Sequence, residues 1–186
     1  ASHDLQEPLR MVSSYLTLIE RRYDADLDEE GREFLEFAVS GAARMRKMID
    51  SLLSYSRIET AGDPFERVDL NAVLDDVLAD NQFRFEESDA EMTATPLPAV
   101  KGDGDQLRLV FQNLLDNAVE YSGADPPRIR VSAERSAADR DEWVVSVSDE
   151  GIGISSEYHD QIFDVFQRLH RPDEHDGTGI GLALCE

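Results

Sequence analysis

The chain has 186 residues, 41% of them hydrophobic, which is enough for one ordinary domain or two small ones and argues against wholesale disorder. Its 40 acidic and 18 basic residues give a formal net charge of −22, which argues against nucleic acid or an anionic membrane surface as a partner. No apolar run approaches the roughly 20 residues of a membrane span, and the single cysteine excludes an internal disulfide. We therefore expect a protein of the reducing cytoplasm without direct membrane contact.

The basic residues are almost all arginine, since Lys47 and Lys101 are the only lysines. Neither lysine follows a glycine, so the chain has no phosphate-binding loop of the Walker A type. A surface rich in acid and poor in lysine suits a cytoplasm held at molar salt, where repulsion between like charges is screened. We predict a halophilic source, with an ordinary acidic protein as the alternative.

The first 60 residues predict two long amphipathic helices joined by a short polar link. Each helix carries an apolar stripe with alternating spacings of four and three. The first stripe is Leu5, Leu9, Val12, Leu16, Ile19 and Tyr23, and the second is Phe34, Ala38, Gly41, Met45, Met48, Leu52 and Tyr55. A short link predicts an antiparallel hairpin over residues 1–60, and a second copy would complete a dimeric four-helix bundle.

A turn-rich linker at 61–66 precedes a mixed region over 67–186. The predicted elements are a helix capped by Asn71 and continuing to about Glu86, a helix opened by Asp103 or Asp105, and strands at 92–95, 128–133 and 143–147. A stretch punctuated by glycines follows over 151–181. This order of helices and strands indicates an α/β domain.

His3 and Asp4 lie at the start of the first helix, on a flank shared with Glu7 and Arg10 rather than with the apolar stripe. An exposed imidazole beside a carboxylate can act as a nucleophile whose proton the carboxylate holds or takes. Considered alone, the pair is a weak signal, because His-Asp pairs with no chemical role are common on solvated helices.

Asn113 and Asn117 are four residues apart, which places them one turn apart on one helix face. Neutral amide oxygens can complete the coordination of a magnesium ion whose other ligands are phosphates and water. A pair of ordinary surface asparagines is the alternative.

The segment Asp149-Glu-Gly-Ile-Gly153 follows directly on a predicted strand. A carboxylate there accepts hydrogen bonds only, which suits an exocyclic amine such as that of adenine. Gly151 and Gly153 would let the backbone approach a flat base closely. A plain Asp-Gly turn is the alternative.

The segment Gly177-Thr178-Gly179-Ile-Gly181 leads into a helix, and free backbone amides at a helix start bind phosphate. It is not the dinucleotide-binding fingerprint, which follows a strand early in a βαβ unit. Upstream of it, Phe163 and Phe166 either anchor a loop or simply pack in the core. The remaining histidines share no metal-ligand spacing and are interpreted as solvated: His159, His170 and His175.

Taken in this order, the motifs resemble those of the sensor histidine kinases of two-component systems. The corresponding segments are 2–10 for the H box, 113–117 for the N box, 149–153 for the G1 box, 163–166 for the F box and 177–181 for the G2 box. The resemblance implies a dimerisation and histidine-phosphotransfer domain at 1–60. It also implies, at 67–186, a GHKL-type α/β sandwich that binds ATP, as in gyrase, Hsp90 and MutL.

The resemblance further implies autophosphorylation of His3 by ATP, with Asp4 as its acid/base partner, and transfer to an aspartate of a response regulator. Asn117 resembles the main Mg²⁺ ligand, with Asn113 in support. The implied ATP-contacting residues are Asn113, Asn117, Tyr121, Asp149, Gly151, Gly153, Arg168, Gly177, Thr178, Gly179, Gly181 and Leu182. Among these, Tyr121 would flank the base and Arg168 would lie near the phosphates. The segment between Phe166 and Gly177 resembles an ATP lid, and the linker at 61–66 would act as a hinge.

Two positions depart from the family pattern. Glu7 stands where many members carry Thr or Asn for phosphatase activity, and a carboxylate there repels a phosphoryl group. Glu120 stands where lysine is common, so a phosphate contact is lost or another cation supplies it. Because the chain starts at the H box and stops one turn after the G2 box, we expect a core fragment of a longer kinase.

Two rival functions are weighed against this one. A GHKL-type ATPase would carry a glutamate one turn before the metal-binding asparagine to activate water, and Asn113 cannot act as that base. A pseudokinase scaffold would dimerise and bind nucleotide without transfer. The presence of His3, Asn117 and Asp149 argues against the scaffold.

Overall fold

The structure, a computed structural model, describes residues 2–60, 64–139, 141–167, 169 and 179–185, with the backbone alone described for 2–5 and 54–60. The chain divides into two compact units, residues 1–59 and residues 60–186. Among the described residues, no helix combines the length and the apolarity that crossing a bilayer requires.

The first unit is a hairpin of two long helices. Its elements are helix α1 (Ser2–Tyr23), a 3-10 turn (Asp24–Asp26) and helix α2 (Glu29–Thr60). Gln6, near the start of α1, donates a hydrogen bond from Nε2 to Oδ1 of Asp50, late in α2, at 2.9 Å. At the other end, Arg32 Nε donates to the backbone oxygen of Asp24 at 3.2 Å. The helices are therefore antiparallel, and the predicted hairpin is confirmed.

Much of the apolar surface of this hairpin is exposed in the single chain. Tyr15 and Phe37 keep 62% and 65% of their surface accessible. The other large exposed apolar residues are Met11, Val12, Leu18, Ile19 and Tyr23 on α1, and Phe34, Met45 and Leu52 on α2. Exposed apolar surface of this extent is typical of a protein interface.

The described part of the second unit contains helices and two small sheets. Its elements are β1 (Glu66–Asp69), α3 (Leu70–Asp80), α4 (Gln82–Glu87), β2 (Glu91–Ala94), β3 (Ala99–Gly102), α5 (Gly104–Glu120), β4 (Arg128–Arg135), β5 (Trp143–Asp149) and a 3-10 turn (Ser156–Tyr158). Strand β1 pairs antiparallel with β3. The larger sheet has the order β2-β4-β5, with β2 parallel and β5 antiparallel to β4.

The core of this unit lies between its helices and the three-stranded sheet. Leu74 and Val77 of α3, together with Phe111 and Leu115 of α5, are spaced three or four apart and so project from one face of their helix. They pack in one cluster with Ile129 of β4. The predicted fold class, a helical hairpin followed by an α/β domain, is confirmed.

The helix predicted from Asn71 to about Glu86 is instead two helices, α3 and α4, separated at Asn81. The N-cap of α3 is Asp69, whose carboxylate accepts from the backbone N of Asn71 at 3.0 Å. The Asn71 side chain also donates to this carboxylate, which holds the pKa of Asp69 below its ordinary value. Asn71 further bridges to Leu97, donating to its oxygen at 2.7 Å and accepting from its nitrogen at 2.9 Å.

The sequence predicted some of the strands that the structure contains and missed others. The strands expected at 92–95, 128–133 and 143–147 correspond to β2, β4 and β5. Strands β1 and β3 were not predicted, and β1 begins at Glu66, the last residue assigned to the linker. The rest of that assignment cannot be compared in full, because residues 61–63 lie outside the described part of the chain.

Candidate functional site

Helix α5 positions the paired asparagines. It begins after Asp103, a buried carboxylate whose Oδ1 accepts from two amides of the first turn at 3.0 and 3.1 Å. Three apolar residues of the helix are buried, namely Phe111, Leu115 and Ala118. Asn113 and Asn117 lie off this buried face and are half-buried.

The two asparagine side chains differ in what they contact. Asn113 Nδ2 donates to the backbone oxygen of Leu109 at 2.8 Å. Its Oδ1 lies against Gly181, where an added Cβ would approach it to 2.8 Å. The side chain of Asn117 makes no hydrogen bond with any described residue. Asn117 therefore keeps its amide oxygen available for a ligand.

The loop after β5 is joined to the end of α5. Ile152 N donates to the backbone oxygen of Tyr121 at 2.9 Å, and Gly151 N donates to Oδ1 of Asp149 at 2.9 Å. A Cβ on Gly151 would lie 2.3 Å from the Tyr121 oxygen, closer than real Cβ atoms approach. Only glycine fits at this junction. It places the exposed Asp149 next to the C-terminal end of α5.

A backbone contact joins the F box to the G2 box. Phe166 N donates to the oxygen of Gly179 at 2.7 Å. Both residues have positive φ, 68° and 69°, a conformation that glycine adopts readily and phenylalanine does not. Ile180, which follows Gly179, is fully buried. The strained Phe166 and the buried Ile180 fix the end of the G2 segment beside Asn113.

The structure thus brings several predicted site residues to α5 and leaves others apart. Asn113, Tyr121, Asp149, Gly151 and Gly181 meet along about 12 Å of helix, at 1.5 Å per residue. The half-buried Leu182 follows Gly181. Gly153 has a positive φ of 69°, and no described atom lies within 4 Å of where its Cβ would be.

Other predicted site residues cannot be compared with the structure. Arg168, Gly177 and Thr178 lie outside the described residues, as does most of the segment interpreted as a lid. His3 and Asp4 lie in the first turns of α1, where the backbone alone is described.

The site contains one ion-pair cluster that sequence reasoning missed. Arg84 of α4 donates from Nη1 to Asp116 Oδ1 at 2.7 Å and from Nη2 to Glu120 Oε2 at 2.9 Å. Glu120 stands where lysine is common in the family, and the sequence alone left open whether another cation takes the place of that lysine. Arg84 is separated from its partners by 32 and 36 residues, and no local motif connects them.

Comparison with protein families identifies both parts of the chain. Residues 1–61 match the His Kinase A (phospho-acceptor) domain. Residues 102–186 match the family described as histidine kinase-, DNA gyrase B-, and HSP90-like ATPase. The chain therefore belongs to the sensor histidine kinases, and the resemblance drawn from the motifs is confirmed.

Curated relatives agree with this assignment. The chain is 44% identical over 186 residues to the phytochrome-like protein Cph1 of Synechocystis sp. and, over the same length, 44% identical to cyanobacterial phytochrome A of Nostoc sp.. Each alignment covers 100% of this chain and 24% of the relative. The chain thus spans about a quarter of the length of these two relatives.

Solved structures share the fold. Full-length ShkA in complex with AMPPNP matches with a TM-score of 0.68 at 24% identity, covering 99% of this chain and 38% of that one. At this identity the match shows the fold alone. The mycobacterial sensor histidine kinase MprB matches with a TM-score of 0.53 at 30% identity, covering 64% of this chain and 74% of that one.

Proposed function

We propose that this chain is a histidine kinase core that phosphorylates its own His3 from ATP and passes the phosphoryl group to an aspartate of a response regulator in a two-component phosphorelay. The observation that carries the proposal is the gathering of the N, G1 and G2 motifs along α5. Gly181 lies against Asn113, and Gly151 lies against Tyr121. The match of residues 1–61 to a phospho-acceptor domain supports the role of the hairpin.

ATP is proposed to bind along this face of α5. The Asp149 carboxylate would accept from the exocyclic amine of adenine, and Tyr121 would flank the base. Backbone amides of the G2 segment and the Arg168 guanidinium would face the phosphates. The other proposed contacts are Gly153, Gly177, Thr178, Gly179 and Leu182. The match of residues 102–186 to the histidine kinase-, DNA gyrase B-, and HSP90-like ATPase family supports a nucleotide of this class.

The donor set of α5 fits Mg²⁺. Among the described residues, no three His, Cys, Asp or Glu side chains form a metal cluster, so a bound ion would depend on amide and phosphate oxygens. Asn117 would hold it with its available amide oxygen, and Asn113 would support it. When bound, the ion neutralises charge on the phosphates.

The proposed reaction forms one P–N bond and breaks one P–O bond. A ring nitrogen of His3 attacks the γ-phosphorus, and ADP leaves with the oxygen that bridged the β- and γ-phosphates. Asp4 takes the proton from the other ring nitrogen as positive charge develops on the imidazole. A carboxylate of the response regulator then attacks the phosphorus and the P–N bond breaks, while Asp4 returns the proton to the ring so that His3 leaves as neutral imidazole. Positioning and charge neutralisation supply most of the acceleration.

The exposed apolar faces of α1 and α2 support a homodimer through residues 1–60. The linker at 61–66 would be the hinge that lets the ATP-binding domain deliver the phosphoryl group. Glu7, exposed on α1, is proposed to weaken phosphatase activity towards the regulator. We place the protein in a cytoplasm of high salt, where screening lets a response regulator dock on its acidic surface. The same acidic surface makes nucleic acid an unsuitable partner.

The proposal is tested with γ-labelled ATP and Mg²⁺. The parent should gain an acid-labile, base-stable label, and His3→Gln should gain none. His159→Gln changes an exposed histidine outside the five motifs and should label as the parent does. Bound nucleotide without label would favour a pseudokinase scaffold, and released phosphate without label would favour a GHKL-type ATPase. Either result would overturn the proposal.

A further inference from the structure

The α5 face that carries the paired asparagines also carries two carboxylates. Asp116 and Glu120 follow Asn113 by three and seven residues, so they share a helical stripe with Asn113 and Asn117. Their side chains keep 36% and 27% of their surface accessible. Two negative charges on this stripe would repel the triphosphate of a nucleotide bound to it unless a cation balanced them.

Arg84 supplies that cation from α4. Its two terminal nitrogens bind different carboxylates, Asp116 at 2.7 Å and Glu120 at 2.9 Å. Charge-assisted hydrogen bonds from a planar guanidinium fix direction as well as distance. The three side chains together carry one net negative charge in place of the two that the carboxylates would carry alone.

A chain of amide hydrogen bonds extends this cluster. Asn81 Nδ2, at the junction of α3 and α4, donates to Gln112 Oε1 at 2.8 Å. Gln112 Nε2 donates to Asp116 Oδ2 at 3.0 Å. Each oxygen of Asp116 therefore accepts a hydrogen bond, one from Gln112 and one from Arg84. The cluster is thereby held in one arrangement beside the asparagines.

We propose that Arg84 is a positioning residue of the nucleotide site, which balances Asp116 and Glu120 so that an anionic nucleotide with its divalent cation can bind at Asn113 and Asn117. The inference rests on the proposed function and deepens it, because it names a cation that lies outside all five sequence motifs. It also accounts for glutamate at position 120. Glu120 is tolerated on this face because Arg84 neutralises it.

The test compares two arginines in similar settings. Arg108 of α5 pairs with Asp80 of α3, and the Arg108 and Arg84 side chains keep 39% and 37% of their surface accessible. Arg84→Gln and Arg108→Gln are titrated with a fluorescent ATP analogue and Mg²⁺ at the lowest salt at which the parent is folded. Arg84→Gln should bind about tenfold more weakly than the parent, the order expected for unbalanced like charges. Arg108→Gln should bind as the parent does.

Salt and a second substitution distinguish an electrostatic effect of Arg84→Gln on nucleotide affinity from an effect on packing. In molar KCl the nucleotide affinity of Arg84→Gln should come within about twofold of the affinity of the parent, because mobile ions screen the carboxylates. Adding Glu120→Gln to Arg84→Gln should restore most of the affinity at low salt. This inference alone would be overturned if Arg84→Gln lost no more nucleotide affinity than Arg108→Gln. It would also be overturned if neither salt nor Glu120→Gln restored the affinity that Arg84→Gln loses. A parent that binds no nucleotide would overturn the proposed function and this inference with it.

Discussion

Asn71 and Asn117 are both half-buried, but the structure uses their amides differently. Asn71 bridges the backbone of Leu97 through both ends of its side chain, whereas the side chain of Asn117 makes no hydrogen bond with a described residue. Asn71→Ala should therefore cost about 1–3 kcal/mol of unfolding free energy, because it leaves the Leu97 groups unpaired. Asn117→Ala should barely change stability and should weaken Mg²⁺-dependent nucleotide binding about tenfold or more.

Urea unfolding and nucleotide titration of the same two variants check this contrast. Asn71→Ala, while folded, should bind nucleotide as the parent does. A loss of stability in Asn117→Ala as large as that in Asn71→Ala, with unchanged affinity, would show that Asn117 has a structural role instead.

The thiol of Cys185 gives a prediction on pH. It is partly buried and donates a hydrogen bond to the backbone oxygen of Gly181. Burial raises the pKa of Cys185 to about 11, because the thiolate would lose hydration. Since the thiolate is the nucleophile, alkylation by iodoacetamide at pH 8 should be much slower in the folded protein than in urea. The folded-state rate should rise steadily as the pH approaches 11, and equal rates in both states at pH 8 would contradict this.

At the scale of elements, the loop after β5 packs tightly against the C-terminal end of α5. Gly151→Ala would place a Cβ 2.3 Å from the backbone oxygen of Tyr121, so the loop carrying Asp149 must move. We expect nucleotide affinity to fall about tenfold or more, because the carboxylate that we propose binds adenine is displaced. Gly104→Ala is the matched control, since its Cβ would meet only Val68 at an ordinary 3.9 Å. Calorimetric titration should separate the two variants, and equal affinities would count against the placement of Asp149.

The length of an element and the clarity of its hydrophobic pattern decided whether it could be predicted from the sequence. The hairpin helices and α5 have repeats of three and four long enough to identify, and the cap at Asp103 was among the predicted starts of α5. Strands β1 and β3 have four residues each and show no clear alternation of apolar and polar residues, whereas the equally short β2 lies in a segment that alternates over 92–95. The break at Asn81 was missed because the apolar repeat of α3 continues past it.

In the site, local motifs could be recognised from the sequence, whereas contacts between distant segments could not. Its motifs are local in sequence, and their order carried the family resemblance that assigned the N, G1 and G2 segments to one nucleotide site. The Arg84 cluster depends on how α4 packs beside α5, which no local pattern records. The strained φ of Phe166 is likewise set by its hydrogen bond to Gly179, thirteen residues further along the chain.

At the scale of the whole molecule, a net charge of −22 should make stability depend on salt. Self-repulsion opposes compact folding, and mobile ions screen it. The melting temperature should therefore rise as KCl is increased from low to molar concentration, and by more than an uncharged osmolyte raises it. A melting temperature that falls over the same range would contradict adaptation to high salt.

Transfer of a phosphoryl group to His3 is the central claim, and direct localisation tests it. After incubation with ATP and Mg²⁺, the protein is digested at alkaline pH and its peptides are sequenced by mass spectrometry. We predict the phosphoryl group on His3, in the peptide that ends at Arg10, and its loss in Asn117→Ala. An unmodified peptide from a protein that binds ATP, or a phosphoryl group on another residue, would contradict the account.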